Sequence, residues 1–109
     1  MRAPRVGALR HRMRLEAPSR TADGGGGAVL TWQLVSMVWA EIVAMSGREA
    51  FEADGLAARA MHEIRLRHRA DVSTEMRFVM GSRVLDIRAV RDPDGRRCWL
   101  SCLCEERAP

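Results

Sequence analysis

Hydrophobic and polar positions alternate near the start of the chain. Leu9, His11, Met13 and Leu15 fall on one side and Arg10, Arg12, Arg14 and Glu16 on the other, the pattern of a strand with one buried and one solvated face. Residues 17–27 hold Pro18, Ser19, Asp23 and four consecutive glycines. They read as a mobile loop, because glycine has the most backbone freedom to lose on ordering. Between Ala28 and Met45 the residues are rich in Val, Trp and Ile, and Val38, Ala40 and Ile42 alternate with Trp39, Glu41 and Val43. At least one strand is predicted there.

Helix signals then gather. Ser46 followed by Glu49 is a capping box, and Glu49, Glu52 and Asp54 lie toward the positive end of the helix dipole. A helix over 46–60 is predicted. Its apolar positions Ala50, Phe51, Ala53, Ala57 and Ala60 make only a thin stripe, so it lies on something larger. The remainder alternates again. His62, Ile64, Leu66 and His68 face away from Glu63, Arg65, Arg67 and Arg69; Met76, Phe78 and Met80 lead to a Gly81–Ser82 turn and a partner strand over Val84–Val90. Asp92-Pro93-Asp94-Gly95 is a strong turn before a last strand over Arg97–Glu105. The fold class expected is mainly β: a small antiparallel β-barrel or sandwich with one inserted α-helix.

At 109 residues the chain fits one domain, 1–109, with residues 1–8 as a flexible N-terminal lead. No stretch reads as a membrane span or a secretory signal. Eighteen basic residues, all Arg, against fourteen acidic ones give a net charge of +4, too modest to demand an anionic partner. The distribution matters more. Residues 1–15 carry five Arg and no acid, whereas Glu41, Glu49, Glu52 and Asp54 stand against Arg48 alone over residues 41–58.

Candidate chemistry is sparse. Cys98, Cys102 and Cys104 crowd into seven residues, which is no secreted disulfide framework and points to synthesis in a reducing cytoplasm. They share a strand face and could offer thiolates to a soft metal, but no fourth ligand follows, so small buried hydrophobes beside Leu100 are the simpler reading. His11, His62 and His68 lie on apolar strand faces without a nucleophile motif or paired carboxylates, and residues 24–27 are not followed by a P-loop Lys-Ser or Lys-Thr. No catalytic residue, metal or cofactor is expected. Arg-rich strands could track a phosphate backbone, yet Trp32, Trp39 and Trp99 read mostly as core and not as stacking platforms.

Six segments in order resemble the family of phage head–tail joining proteins, the head closure or stopper proteins of long-tailed phages and gene transfer agents. They are Leu9-Arg10-His11-Arg12; Thr31-Trp32; Val38-Trp39-Ala40-Glu41-Ile42; Ser46-Gly47-Arg48-Glu49; His62 to Arg69; and Arg83-Val84-Leu85-Asp86-Ile87. The similarity runs from Leu9 to Glu105. The resemblance implies a virion component without catalytic residues. It implies a β-barrel subunit in a six- or twelve-fold ring between portal or adaptor and tail, with double-stranded DNA passing through it. It also implies gating by an inserted loop or helix, which makes 17–27 and 46–60 the candidates. Ring or partner contacts are expected at Glu41, Arg48, Glu49, Glu52, Asp54, Arg65, Arg67 and Arg69, and channel contacts at Arg10, Arg12 and Arg14. A free-standing nucleic-acid-binding β-barrel is the alternative.

Overall fold

The computed structural model describes residues 6–45 and 61–107. After a 3-10 turn at Val6–Ala8 come β1 (His11–Ala22), β2 (Ala28–Ala44), β3 (Met61–Arg67), β4 (Arg77–Met80), β5 (Arg83–Arg91) and β6 (Trp99–Glu106). All pairings are antiparallel. The order β1-β2-β3-β6-β5-β4 returns to β1, so the sheet closes into a barrel-like ring, a mainly β fold as the alternation requires. The helix expected over 46–60, with Ser46, Arg48, Glu49, Glu52 and Asp54, lies outside the described residues, as do residues 1–5 of the lead.

Period two puts one set of side chains inside the ring. Met13 and Leu15 come from β1, Val38 and Ala40 from β2, Ile64 and Leu66 from β3, Phe78 from β4, Leu85 and Ile87 from β5, and Leu100, Cys102 and Cys104 from β6. Each large member contributes about 1.5–3 kcal/mol by leaving water. The seam that closes the ring is short: β1 meets β4 only at Arg14↔Val79, Leu15↔Phe78 and Glu16↔Arg77. Phe78 stands opposite both Leu15 and Leu85, so one aromatic ring spans the seam. A second small cluster, Met61 and Leu103 with Met45 and Ala89, packs apart from this core.

The turns follow their residues. Gly81, at φ 62°, supplies the first position of the two-residue β4–β5 turn. In the β5–β6 turn the Asp92 carboxylate accepts from the Gly95 and Arg97 amides at 3.1 and 2.9 Å. β6 begins at Trp99. Cys98 is therefore exposed in the turn, not buried with Cys102 and Cys104.

The stretch 17–27 differs most from its expectation. Residues 17–22 continue β1, pairing Ala17↔Gln33 through Ala22↔Ala28, and only Asp23–Gly27 turns. β1 pairs with β4 only over Arg14–Glu16, and β2 with β3 only over Ala40–Ala44. The two strands thus project as a ribbon beyond the ring. Pro18 is tolerated because its strand is an edge there. The tip is organised by Asp23, whose Oδ1 accepts from the Gly25 and Gly27 amides at 2.8 and 3.2 Å. A Cβ on Gly27 would meet Asp23 Oδ2 at 2.8 Å.

A bulge interrupts the ribbon. Leu15 faces Ser36 and Glu16 faces Leu34, so Val35 is an extra residue in β2. It shifts which residues of β2 face outward.

Candidate functional site

β1 runs without an extra residue, so Arg12, Arg14, Glu16, Pro18 and Arg20 occupy the face opposite the buried Met13 and Leu15. Their partners across the ladder share this outer face: Trp39, Met37, Leu34, Trp32 and Leu30. A largely charged column therefore runs beside a column of large apolar side chains roughly 30 Å long. Trp39 is 55% exposed, Leu30 and Leu34 48%, and Met37 39%. An exposed apolar row of this length, rimmed by charge, is the signature of a contact surface.

The charges beside it are of two kinds. Glu16 is buried, and Arg14 Nε and Arg77 Nε donate to its two oxygens at 3.0 and 2.8 Å. Burial pushes its carboxyl pKa up, but the two guanidinium hydrogen bonds outweigh burial and hold it below its ordinary value. Arg77 also lies over Trp32, 4.1 Å from the ring centre. Arg12 has no carboxylate among the described residues and lies 5.9 Å above the Trp39 ring, while Arg67 lies 5.4 Å above Trp99. Arg12 pairs with Trp39 and Arg67 with Trp99, and Trp39 and Arg67 flank the Ala40↔Leu66 pair. The four form an Arg–Trp–Arg–Trp row across β1, β2, β3 and β6.

The other residues singled out from sequence are mostly held within the subunit. Arg65 donates to Glu41 at 3.1 Å and to Glu63 at 2.9 Å. Ser101 Oγ donates to the second Glu63 oxygen. Burial raises the Glu63 pKa, and the Arg65 and Ser101 hydrogen bonds lower it by more. Arg69 is bonded to Asp71 at 2.8 Å and reaches Ser36 at 3.3 Å. Arg10 donates to the Gly7 carbonyl at 3.2 Å. Arg48, Glu49, Glu52 and Asp54 lie outside the described residues. The structure thus joins Glu41 to Arg65, sets Arg67 in the Arg–Trp row and leaves Arg69 with Asp71.

Trp39 departs from the general reading of the tryptophans as mostly core: it is more than half exposed. The available signal was the density of large apolar residues on both faces of β2, since Val29, Leu30, Leu34, Val35, Met37 and Trp39 cannot all enter a single-layer core.

A recess lined by Met45, Glu63, Arg91, Asp92, Pro93, Ser101 and Leu103 opens beside β6, but its two carboxylates are already committed, Glu63 to Arg65 and Ser101 and Asp92 to the Gly95 and Arg97 amides. His62 Nε2 stands 3.6 Å from Glu106, which Arg83 holds at 2.8 Å. Among the described residues no three His, Cys, Asp or Glu side chains gather as metal ligands would, and no helix is long and apolar enough to cross a membrane.

Comparison with known proteins places this geometry in context. The model of the family described as phage head completion protein matches residues 4–107. A Shigella flexneri 2a protein known by its solution structure is 30% identical, with 96% of this chain and 98% of that one covered and a TM-score of 0.77. A chain from the virion of a native gene transfer agent particle is 27% identical, with 100% and 99% covered and a TM-score of 0.64. No curated protein sequence matches.

Proposed function

The chain belongs to the phage head completion protein family, and from that premise we propose that it is a structural connector subunit that completes a phage or gene transfer agent head and receives the tail. The observation that carries the reading is the family match over residues 4–107. The likeness to a chain of a gene transfer agent virion supports a place in the particle. The fold suits the role. The ring of strands is filled with apolar side chains, while the ribbon carries exposed apolar surface of the kind that assemblies cover.

In this reading several copies form a closed ring, using one patch of each subunit against a different patch of the next. Portal or adaptor proteins lie on one side and tail proteins on the other, with double-stranded DNA passing through the axis. The acidic stretch of Glu49, Glu52 and Asp54 is our candidate for contact between copies. Arg65 and Arg69 already hold acids of their own subunit, which weakens them as its counterpart. Of the arginines read as channel-facing, Arg10 keeps that assignment; Arg12 and Arg14 stand beside Trp39 and Met37.

Tagging the subunit in the producing cell and imaging particles by electron microscopy tests the reading. Label is expected at the head–tail junction, and particles lacking the subunit should be tailless. Intact, tailed, unlabelled particles from a deletion strain would sink it. Tight, salt-sensitive binding of oligonucleotides by the isolated monomer would favour the nucleic-acid-binding alternative.

A further inference from the structure

We propose that the outer face of the β1–β2 ribbon, centred on Trp39 and Leu34 and flanked by Arg12 and Arg67, docks a different protein through a segment that presents carboxylates beside apolar side chains. The proposal rests on the connector reading, which supplies neighbouring proteins to dock. It also gives that reading a specific surface.

Two observations specify the chemistry. The first is the apolar column itself, with Trp39 at its ring-side end and Leu30 at its far end, more than a third exposed at each of four positions. Trp and Arg in one cluster are the residue types that dominate binding energy at protein interfaces. The second is charge. Arg14, Arg65, Arg69, Arg77, Arg83, Arg88 and Arg107 each hold a carboxylate of this chain. Arg12, Arg20 and Arg67, beside the column, hold none among the described residues. Three guanidinium groups bordering an apolar strip fit carboxylates bordering an apolar strip, because opposite potentials steer encounter and fix register.

The same inventory decides between occupants. Of the described carboxylates, those of Glu16, Glu41, Glu63, Asp71, Asp86, Glu105 and Glu106 are engaged by arginines of the subunit and those of Asp23, Asp92 and Asp94 by backbone amides, while Glu75 lines a recess with Arg20, Leu30 and Trp32 on this same face. The described surface of a second copy would therefore bring a single uncommitted carboxylate, that of Glu75, to three guanidinium groups, too few to match them. Double-stranded DNA is disfavoured on other grounds. Its phosphates gain nothing from Leu30, Leu34 and Met37, and Arg77 already covers a face of Trp32.

The test uses the full chain and three short synthetic peptides: one of Leu and Glu, one of Leu and Lys, and one of Ser and Glu. Amide chemical shifts are followed by NMR. The Leu/Glu peptide should bind with perturbations at Arg12, Leu34, Met37, Trp39 and Arg67, at least about tenfold more tightly than either control, as expected when apolar burial and charge complementarity both contribute. The Arg12→Glu/Arg67→Glu variant should reverse the preference toward the Leu/Lys peptide. Should that variant lose its dispersed spectrum, Arg12→Gln/Arg67→Gln serves instead and should abolish the preference. Equal binding of the peptides, perturbations elsewhere, self-association through this face, or tighter binding of a short DNA duplex at these residues would each overturn the proposal. None of these outcomes bears on whether the subunit is found in particles, so the connector reading stands or falls separately.

Discussion

Glu16 shows how a single charge can be buried on this fold. Two arginines satisfy its oxygens, and their hydrogen bonds depress its pKa against the opposing effect of burial. A carboxylate with a folded pKa below its ordinary 4.5 contributes stability that is present above that value and lost as pH falls through the depressed one. Glu63 and Glu106 are lowered too and act in the same direction. Thermal unfolding should therefore change little between about pH 7 and 5 and fall steeply below about pH 4.5. Glu16→Gln should lower stability at neutral pH by about 1–3 kcal/mol, because it strips one partner from a buried network. It should also flatten the acid limb, as melting followed by circular dichroism would report; an equally steep limb in the variant would falsify the assignment.

The thiols give a second check at this scale. Burial pushes the Cys102 pKa up to about 12 and that of Cys104 well above normal, while Cys98 is exposed in the β5–β6 turn. A thiolate is the reactive species. A disulfide reagent should label one thiol per chain under native conditions and all three cysteines after denaturation. Rapid native labelling of more than one would mean that β6 does not face the core.

Among the elements, the ribbon is the most independent. Its distal residues pair only with each other, and its tip depends on the Asp23 carboxylate. Asp23→Ala should free two amides and raise hydrogen exchange at Arg20–Ala22 and Val29–Thr31. The global unfolding free energy should change by less than about 0.5 kcal/mol, since local opening need not cross the whole structure. A large global loss would show that the ribbon folds as one unit with the ring.

The whole molecule is closed by a seam of three residue pairs. Strands at the seam are far apart in sequence; the Arg77–Glu16 bond joins residues 61 positions apart. Its core member, Phe78, is fully buried between Leu15 and Leu85. Phe78→Ala should cost about 3–5 kcal/mol, the transfer of an aromatic ring plus a cavity at the closing point. Phe78→Leu should cost distinctly less. Denaturant unfolding measures both, and exchange at Arg14–Glu16 should rise first in the alanine variant. If β1–β2 exchange rises before the seam, closure does not depend on this ring.

Much of this was legible along the chain because a strand writes its burial with period two. Met13 and Leu15, Ile64 and Leu66, and Leu85 and Ile87 alternate with polar neighbours, and their inward faces follow from that alone. Turn chemistry was equally local: Gly81 and the Asp92–Gly95 run act within a few residues of themselves. The ribbon was not legible, because Pro18 and the glycines signal a loop locally, whereas pairing between residues 17–22 and 28–33 is a relation between strands. The docking face was hidden for a sharper reason. Simple alternation from Trp39 would set Val35, Gln33 and Thr31 on the outer face, but the bulge at Val35 changes the parity and brings out Leu34, Trp32 and Leu30. Which arginines remain uncompensated was likewise a tertiary matter, since Glu16 meets Arg77 only across the closing seam and Arg65 meets Glu41 only once β2 and β3 have paired in register. The sequence by itself determined the alternating side chains that fill the ring, such as Met13 and Leu15 or Ile64 and Leu66. Only the tertiary structure decided which apolar side chains were left over for a partner, because that depends on register, and register is a property of pairs of strands.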